Sequence, residues 1–329
     1  MSEKVLIVTV REDEVPCRLD RWFKRHYPQL PQSYIQRLLR TKQIRVNGKR
    51  AEAKQVLAPE DMIRVPPLPE HPTEARPATV SDKDKKWLTS CILYQDADMF
   101  VLNKPAGLAV QGGSGTKRHL DTLLSALATR GQTPKLVHRL DKDTSGVLVV
   151  ARTNKAAAFL TQAFRTKAVH KTYWALVEGK PRHAQGVIDQ PLLKQNAKNG
   201  REMMVVDEAG QSAQTQYKVM KTARQLSWLE LSPLTGRTHQ LRVHCAFMGT
   251  PIVGDEKYGK ATSPAPQIAA KLHLHARQVT VPMLSGGKRT FLAPLPEHMK
   301  NSFDFLGFCD TKELKKNKNH TIGEDLCEK

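Results

Sequence analysis

His138-Arg139-Leu140-Asp141-Lys142-Asp143-Thr144-Ser145-Gly146 places a carboxylate after two basic side chains and just ahead of the apolar run Val147-Leu148-Val149-Val150. The run reads as a buried strand, so Asp141 falls on a loop held by rigid structure, where reactive groups are commonly carried. Two basic neighbours favour the ionised carboxylate, the form that a nucleophile or base requires. The same residues also suit a plainer role, in which Asp141 or Asp143 closes an Asx-turn with help from Thr144 and Ser145. Other segments offer less chemistry. Gly112-Gly113-Ser114-Gly115 is flexible enough to meet a phosphate but has neither the P-loop spacing nor the dinucleotide pattern. His239 and His244 fall on opposite faces of a strand, which argues against a shared metal. His273 and His275 share a strand face but find no third ligand, and they read as structural. The order His-Arg-Leu-Asp differs from that of a kinase catalytic loop, and no Asp-Phe-Gly follows.

Strand-like segments at 91–94, 100–103, 147–151, 172–177, 215–219, 227–231, 240–244 and 278–281 must position these residues, with helical stretches at 121–130 and 155–164. They do not alternate regularly, so an α+β fold with a mixed, largely antiparallel sheet is expected over 88–310. Ahead of it, residues 1–66 form a second, small α+β unit. Met1 to Asp13 alternates like a strand, and Leu19, Trp22 and Phe23 recur at helical spacing. Ile35, Leu38 and Leu39 do the same after an expected N-cap at Ser33. Residues 44–46 and 61–65 read as short strands, the first ending in an Asn47-Gly48 turn. Between the units, 67–87 is rich in proline and ends in Asp82-Lys83-Asp84-Lys85-Lys86, the composition of an extended linker. The lysine-rich tail 311–329 is expected to be disordered.

Lys and Arg outnumber Asp and Glu by 52 to 32, a formal net charge of +20 that points to a polyanionic partner. The cations concentrate in the first unit, where residues 15–66 hold twelve Lys or Arg against four acids. Arg18, Arg21, Arg37, Lys42, Arg45 and Lys49 are the candidate nucleic-acid contacts there. No apolar run of about 18 residues and no basic amphipathic helix with a broad apolar face is present, so no membrane partner is expected. Arg11-Glu12-Asp13 ends the first apolar stretch too early for a signal peptide. The five cysteines are scattered without a Cys-x-x-Cys pair, the pattern of a reduced, cytoplasmic protein without zinc.

Four segments in order carry a resemblance. His138-Arg-Leu-Asp141-x-x-Thr144-Ser-Gly146 is similar to the signature of the RluA-type pseudouridine synthases, which isomerise uridine within RNA. Val101-Leu-Asn-Lys104-Pro105-Ala-Gly107 resembles the family's first motif, and Lys171-Thr-Tyr173-Trp-Ala175 its tyrosine motif. The stretch from Thr235 through Arg242 to His244 resembles its arginine motif, with Gly254-Asp255-x-x-Tyr258-Gly259 after it. The likeness covers about 90 to 300, and the first unit resembles an S4 RNA-binding domain. Two loops, Gln111–Gly115 and Gln190–Lys194, look most like the RluC branch, whose members modify several uridines of bacterial 23S ribosomal RNA.

The resemblance implies the pseudouridine synthase fold, a monomer, no cofactor and no metal, with 23S ribosomal RNA as partner. It assigns Asp141 as the catalytic aspartate. Tyr173 would pack against the target base and help remove its C5 proton, and Arg242 would pair with Asp141. Arg139 is similar to the arginine that enters the stack where the uridine leaves. Lys104, His138, Thr144 and Leu241 belong by the same likeness to the substrate-binding set. Attack on C1′ and proton abstraction from C2′ both remain open as the route of Asp141. Two other classes fit parts of the sequence: a non-catalytic RNA-binding assembly factor, and a glycosylase that would release free uracil.

Overall fold

A computed structural model describes residues 5–28, 30–68, 80–112, 118–129, 132–196, 202–260 and 263–308. The chain divides into two compact units, Met1–Thr79 and Val80–Lys329.

The first unit runs β1 (Leu6–Thr9), β2 (Cys17–Arg18), α1 (Leu19–His26), α2 (Gln32–Arg40), β3 (Arg45–Val46), β4 (Lys49–Arg50), β5 (Val56–Leu57) and β6 (Met62–Val65). Four of its strands form a sheet in the order β1-β6-β3-β4, and β2 pairs with β5. Leu19, Trp22 and Phe23 from α1 and Ile35, Leu38 and Leu39 from α2 meet Ile44, Ile63 and Val65 in one core. That burial, rather than helix propensity, is what holds two such short helices. α2 starts at Gln32 behind Pro31, not behind Ser33. Pro31, with φ −61°, already has the backbone setting that leads into a helix. Asn47 and Gly48, at φ 51° and 74°, make the two-residue turn between β3 and β4. Arg21, Lys42, Arg45 and Lys49 are exposed. Arg18 is tied to Asp20 at 2.5 Å, and Arg37 lies over the Tyr34 ring.

The larger unit opens with α3 (Asp82–Ser90), β7 (Ile92–Gln95), β8 (Met99–Lys104), α4 (Leu120–Leu123), β9 (Lys135–Leu136), β10 (Ser145–Ala151) and α5 (Asn154–Arg165). It continues with β11 (His170–Glu178), β12 (Gln185–Asp189), β13 (Leu192–Asn196), β14 (Glu202–Val206), β15 (Gln214–Ala223) and β16 (Leu226–Pro233). It closes with α6 (Gln240–Phe247), β17 (Leu274–Pro282), β18 (Lys288–Leu292) and α7 (Glu297–Phe305). Ten strands form one sheet in the order β12-β15-β16-β11-β17-β10-β8-β7, with β18 added to β17 and β9 to β10. Its one parallel ladder joins β10 to β17 through two residue pairs, Ser145 with His275 and Gly146 with Ala276. The sheet is therefore mixed and largely antiparallel, the α+β class that the irregular alternation of elements predicts.

β10 is buried along its whole length. Val147, Val149 and Ala151 pack with Ala156 and Leu160 of α5, while Leu148 and Val150 pack with Leu120, Leu124 and Leu140 on the other face. Burying each such Val or Leu contributes about 1.5–3 kcal/mol, which anchors the start of β10 firmly.

Three elements differ from the sequence reading. Residues 240–244 are helical, not a strand. Gln240-Leu241-Arg242-Val243-His244-Cys245 alternates polar and apolar like a strand, but all six are buried in a helix, where Gln240, Arg242 and His244 are held by hydrogen bonds instead of facing water. Residues 82–86 start a helix where an extended linker is predicted. The Ser81 hydroxyl caps it by accepting from the Asp84 N–H at 3.1 Å, and Arg118 pairs with Asp84 while lying over Trp87. The helix predicted over 121–130 is one short α-turn followed by a 3-10 turn, Leu124–Leu127. Arg130, Gly113 to Gly115 and the tail 311–329 lie outside the described residues.

Candidate active site

Gly146 has a φ of +113°, and a Cβ built there would stand 2.2 Å from the Ala276 carbonyl oxygen. Only glycine lets β10 approach β17 this closely. Ala276 is also the register partner of Tyr173 on β11. Ala276 thus lies between Gly146 and Tyr173, and the loop ahead of β10 comes beside Tyr173 across β17.

Above this crossing lies a cavity of about 930 Å3. His138, Arg139, Asp141, Thr144, Tyr173, Leu241 and Arg242 all line it. Six Lys or Arg face it (Arg139, Arg165, Lys167, Lys171, Arg237 and Arg242) against one carboxylate, Asp141. The loop around Asp141 is closed by its own backbone, because the Thr144 N–H donates to the Asp141 carbonyl at 3.2 Å. The turn does not use up the Asp141 carboxylate, so the Asx-turn alternative falls away. Tyr173 is pushed above the ordinary phenol range by burial and by the nearby Asp141 charge, so it stands there as a neutral phenol.

The other expected residues divide by what they touch. Arg139 is exposed and donates to the Thr238 hydroxyl at 3.2 Å. Leu241 gives the cavity an apolar wall from α6. Thr144 is buried. His138 accepts the Val149 N–H at Nε2, 2.9 Å, and stacks on Phe164. Burial and nearby Lys171 push its pKa down to about 3, so it braces β10 as a neutral ring.

Lys104 does not reach the cavity. Its ammonium is buried and donates to the carbonyls of Pro105, Leu108 and Lys142 at 2.9, 3.0 and 2.9 Å. All three protons of the ammonium are engaged, so Lys104 clamps the loop of Asp141 to the end of β8 rather than holding RNA. Burial lowers its pKa to about 8, although the charges of Asp143 and Asp141 oppose that shift.

Arg242 also departs from expectation. Its guanidinium forms a bidentate pair with Asp255, Nε to Oδ2 at 2.7 Å and Nη2 to Oδ1 at 2.6 Å, instead of pairing with Asp141. Asp255 is buried and accepts further from the N–H groups of Lys257 and Tyr258. Desolvation works against both charges, but these bonds outweigh it. The carboxyl is held below its usual range and the guanidinium above its own. Arg242 further lies over the Tyr258 ring, 5.1 Å from its centre.

Sequence reasoning gave no role to His239, Asp255, Tyr258 or Lys171, although all four stand in or beside the matched motifs. His239 is the N-cap of α6, left-handed at φ 54°, with Nδ1 2.7 Å from the Tyr258 hydroxyl. Lys171 lines the cavity with no hydrogen-bond or ion-pair partner among the described residues, and burial lowers its pKa. His273 and His275 are buried and hydrogen-bonded, to Ser302 and Ser145 among others. No group of three potential metal ligands occurs among the described residues. No helix among them is long and apolar enough to cross a membrane.

Known proteins resemble this chain in sequence and in fold. The family model described as RNA pseudouridylate synthase matches residues 98–247. A ribosomal large subunit pseudouridine synthase C of Vibrio cholerae is 36% identical over 305 residues, covering 91% of this chain and 96% of the relative. RNA pseudouridine synthase 4, mitochondrial, of Arabidopsis thaliana is 36% identical, covering 87% of this chain and 78% of the relative. The solved structure titled human RNA pseudouridylate synthase domain containing 4 is 34% identical with a TM-score of 0.57, covering 68% of this chain and 95% of that one. With the Asp141 loop and Tyr173 meeting across β17 inside a fold held in common with these proteins, the chain belongs to the RNA pseudouridylate synthase family.

Proposed function

We propose that this protein isomerises uridines to pseudouridine in large-subunit (23S) ribosomal RNA, with Asp141 as the reacting carboxylate and no cofactor. The cavity carries this reading: six cationic side chains around a single carboxylate, beside a neutral tyrosine, suit a flipped nucleotide with its flanking phosphates. The C1′–N1 bond breaks, the uracil turns in place, and a C5–C1′ bond forms. The proton leaves C5 and N1 regains one, so the balance needs no redox partner. Tyr173 supports the base, Arg139 fills the space the uridine leaves, and Leu241 supplies the apolar wall. Arg242 keeps α6 and the Asp255 loop in place behind Asp141. Flipping costs a few kcal/mol in a duplex and less in a loop.

The relatives named ribosomal large subunit pseudouridine synthase C support the substrate, since one of them matches nearly the whole length of this chain. In this reading the first unit is an S4-like anchor on the RNA, the protein acts as a monomer because one chain completes the cavity, and it works in the cytoplasm. Free thiols at Cys17, Cys91 and Cys245 fit a reducing compartment.

The test is tritium release from C5-labelled uridine in a 23S ribosomal RNA transcript, since C5 becomes the glycosidic carbon. Release without free uracil is expected. Free uracil would convert the reading to a glycosylase. Silence on 23S transcript, transfer RNA and partly assembled particles alike would overturn it.

The anchor has its own test. Charge reversal at Arg37, Lys42 and Arg45 together is expected to weaken RNA binding and flatten its dependence on salt, by roughly one unit of log–log slope per lost phosphate contact. An unchanged slope would remove the first unit from the RNA interface.

A further inference from the structure

Arg242 is committed to Asp255, which leaves open what holds Asp141. The Asp141 carboxylate makes no hydrogen bond among the described residues, and its ion-pair-range neighbour is His239, with Nε2 4.0 Å from Oδ2. His239 is itself held. It sits in the left-handed region at the start of α6, meets the Tyr258 ring edge-on at 5.5 Å, and places Nδ1 2.7 Å from the Tyr258 oxygen.

The partners of Tyr258 assign the His239 tautomer once the phenol proton is given an acceptor. The Tyr258 oxygen already accepts the Met204 N–H at 3.1 Å. Its one proton has His239 Nδ1 as the acceptor in reach. Burial raises the Tyr258 pKa, so the phenol keeps that proton, and burial lowers that of His239, so the ring is neutral. An imidazole that accepts at Nδ1 carries its hydrogen on Nε2. That hydrogen faces Asp141.

We propose that His239 is a positioning residue for the isomerisation: Tyr258 sets its tautomer, and its Nε2–H donates to the Asp141 carboxylate, aiming it into the cavity. A carboxylate rotation closes the remaining ångström. The inference rests on the reading of Asp141 as the reacting group. His239 also lines the cavity, but in this role it acts through Asp141.

The test compares His239→Gln with His239→Met, two side chains of equal length that pay the same left-handed backbone cost, only one of which offers an N–H. Tritium release from 23S transcript is measured at steady state beside Tyr258→Phe and Asp141→Asn. Removing one hydrogen bond to a charged group predicts a kcat loss of roughly 10- to 100-fold for Met, with most of it restored in Gln and KM within about twofold. Tyr258→Phe is expected to lower kcat by about tenfold alone and by nothing further in the His239→Met background, because the two act in series. Equal kcat in Gln and Met, a loss confined to KM, or additive effects with Tyr258→Phe would overturn the inference. An active Asp141→Asn enzyme would instead overturn the role of Asp141. An inactive one beside a normal His239→Met enzyme would sink the inference alone.

Discussion

Asp141→Asn is expected to remove tritium release by at least about a thousandfold, the scale seen when the reacting group of an enzyme is deleted. RNA affinity should hold or rise. The substitution keeps the size of the side chain and leaves no partner orphaned, because the asparagine oxygen can still accept from His239. It also deletes the single acid in a cavity faced by six cations, so the field on bound phosphates becomes more favourable. Single-turnover release and a filter-binding titration on the same RNA check both halves. Release within tenfold of wild type would show that another group does the chemistry. Lost release together with weakened binding would recast Asp141 as a structural residue of the loop.

The second large effect concerns stability. Asp255→Ala strands a buried guanidinium, and breaking a buried pair from one side typically costs 3–5 kcal/mol. For the larger unit that corresponds to a fall in Tm of roughly 6–20 °C, read by thermal unfolding. Arg242→Ala is expected to cost a similar amount, since it leaves Asp255 desolvated with two backbone donors only. The double variant Arg242→Met/Asp255→Leu should lose much less than the two single losses summed. The pair also predicts a sign with pH. The folded-state pKa of Asp255 is depressed, so its stabilisation is full above the ordinary carboxyl range and disappears as pH falls through the folded value. If Asp255→Ala kept its Tm, Arg242 would have found Asp141 as a replacement partner, and the Arg242–Asp141 pairing expected from the family motif would be restored.

What could be read from the chain and what could not follows from the range of the interactions. β10 is legible because a central strand buried on both faces is a continuous apolar run, and the loop ahead of it carries the motif. The helix α6 is hidden because its polar residues, Gln240, Arg242 and His244, alternate with apolar ones as in a strand, and their buried partners come from distant segments. Lys104 looks like a ligand for phosphate because its three acceptors are main-chain carbonyls, to which residue type is blind. The pairing of Arg242 with Asp255 spans thirteen residues, and nothing local distinguishes it from a pairing with Asp141. α3 was within reach: Ser81 three residues ahead of Asp84 is a capping signature that the neighbouring lysines and prolines obscured.

The place of β17 bears on when the enzyme becomes active. Strands β7, β8 and β10 lie within 92–151, and β11, β12, β15 and β16 lie within 170–233, so each group can pair as it leaves the ribosome. The strand that unites them, residues 274–282, is synthesised later and must slot between two groups already made. Until it does, Ala276 is not there to bring the loop of Asp141 beside Tyr173. A nascent chain can thus expose the basic side chains Arg21, Lys42, Arg45 and Lys49 well before it can modify anything. Catalytic competence is timed by β17, the central strand made after the two groups that it joins.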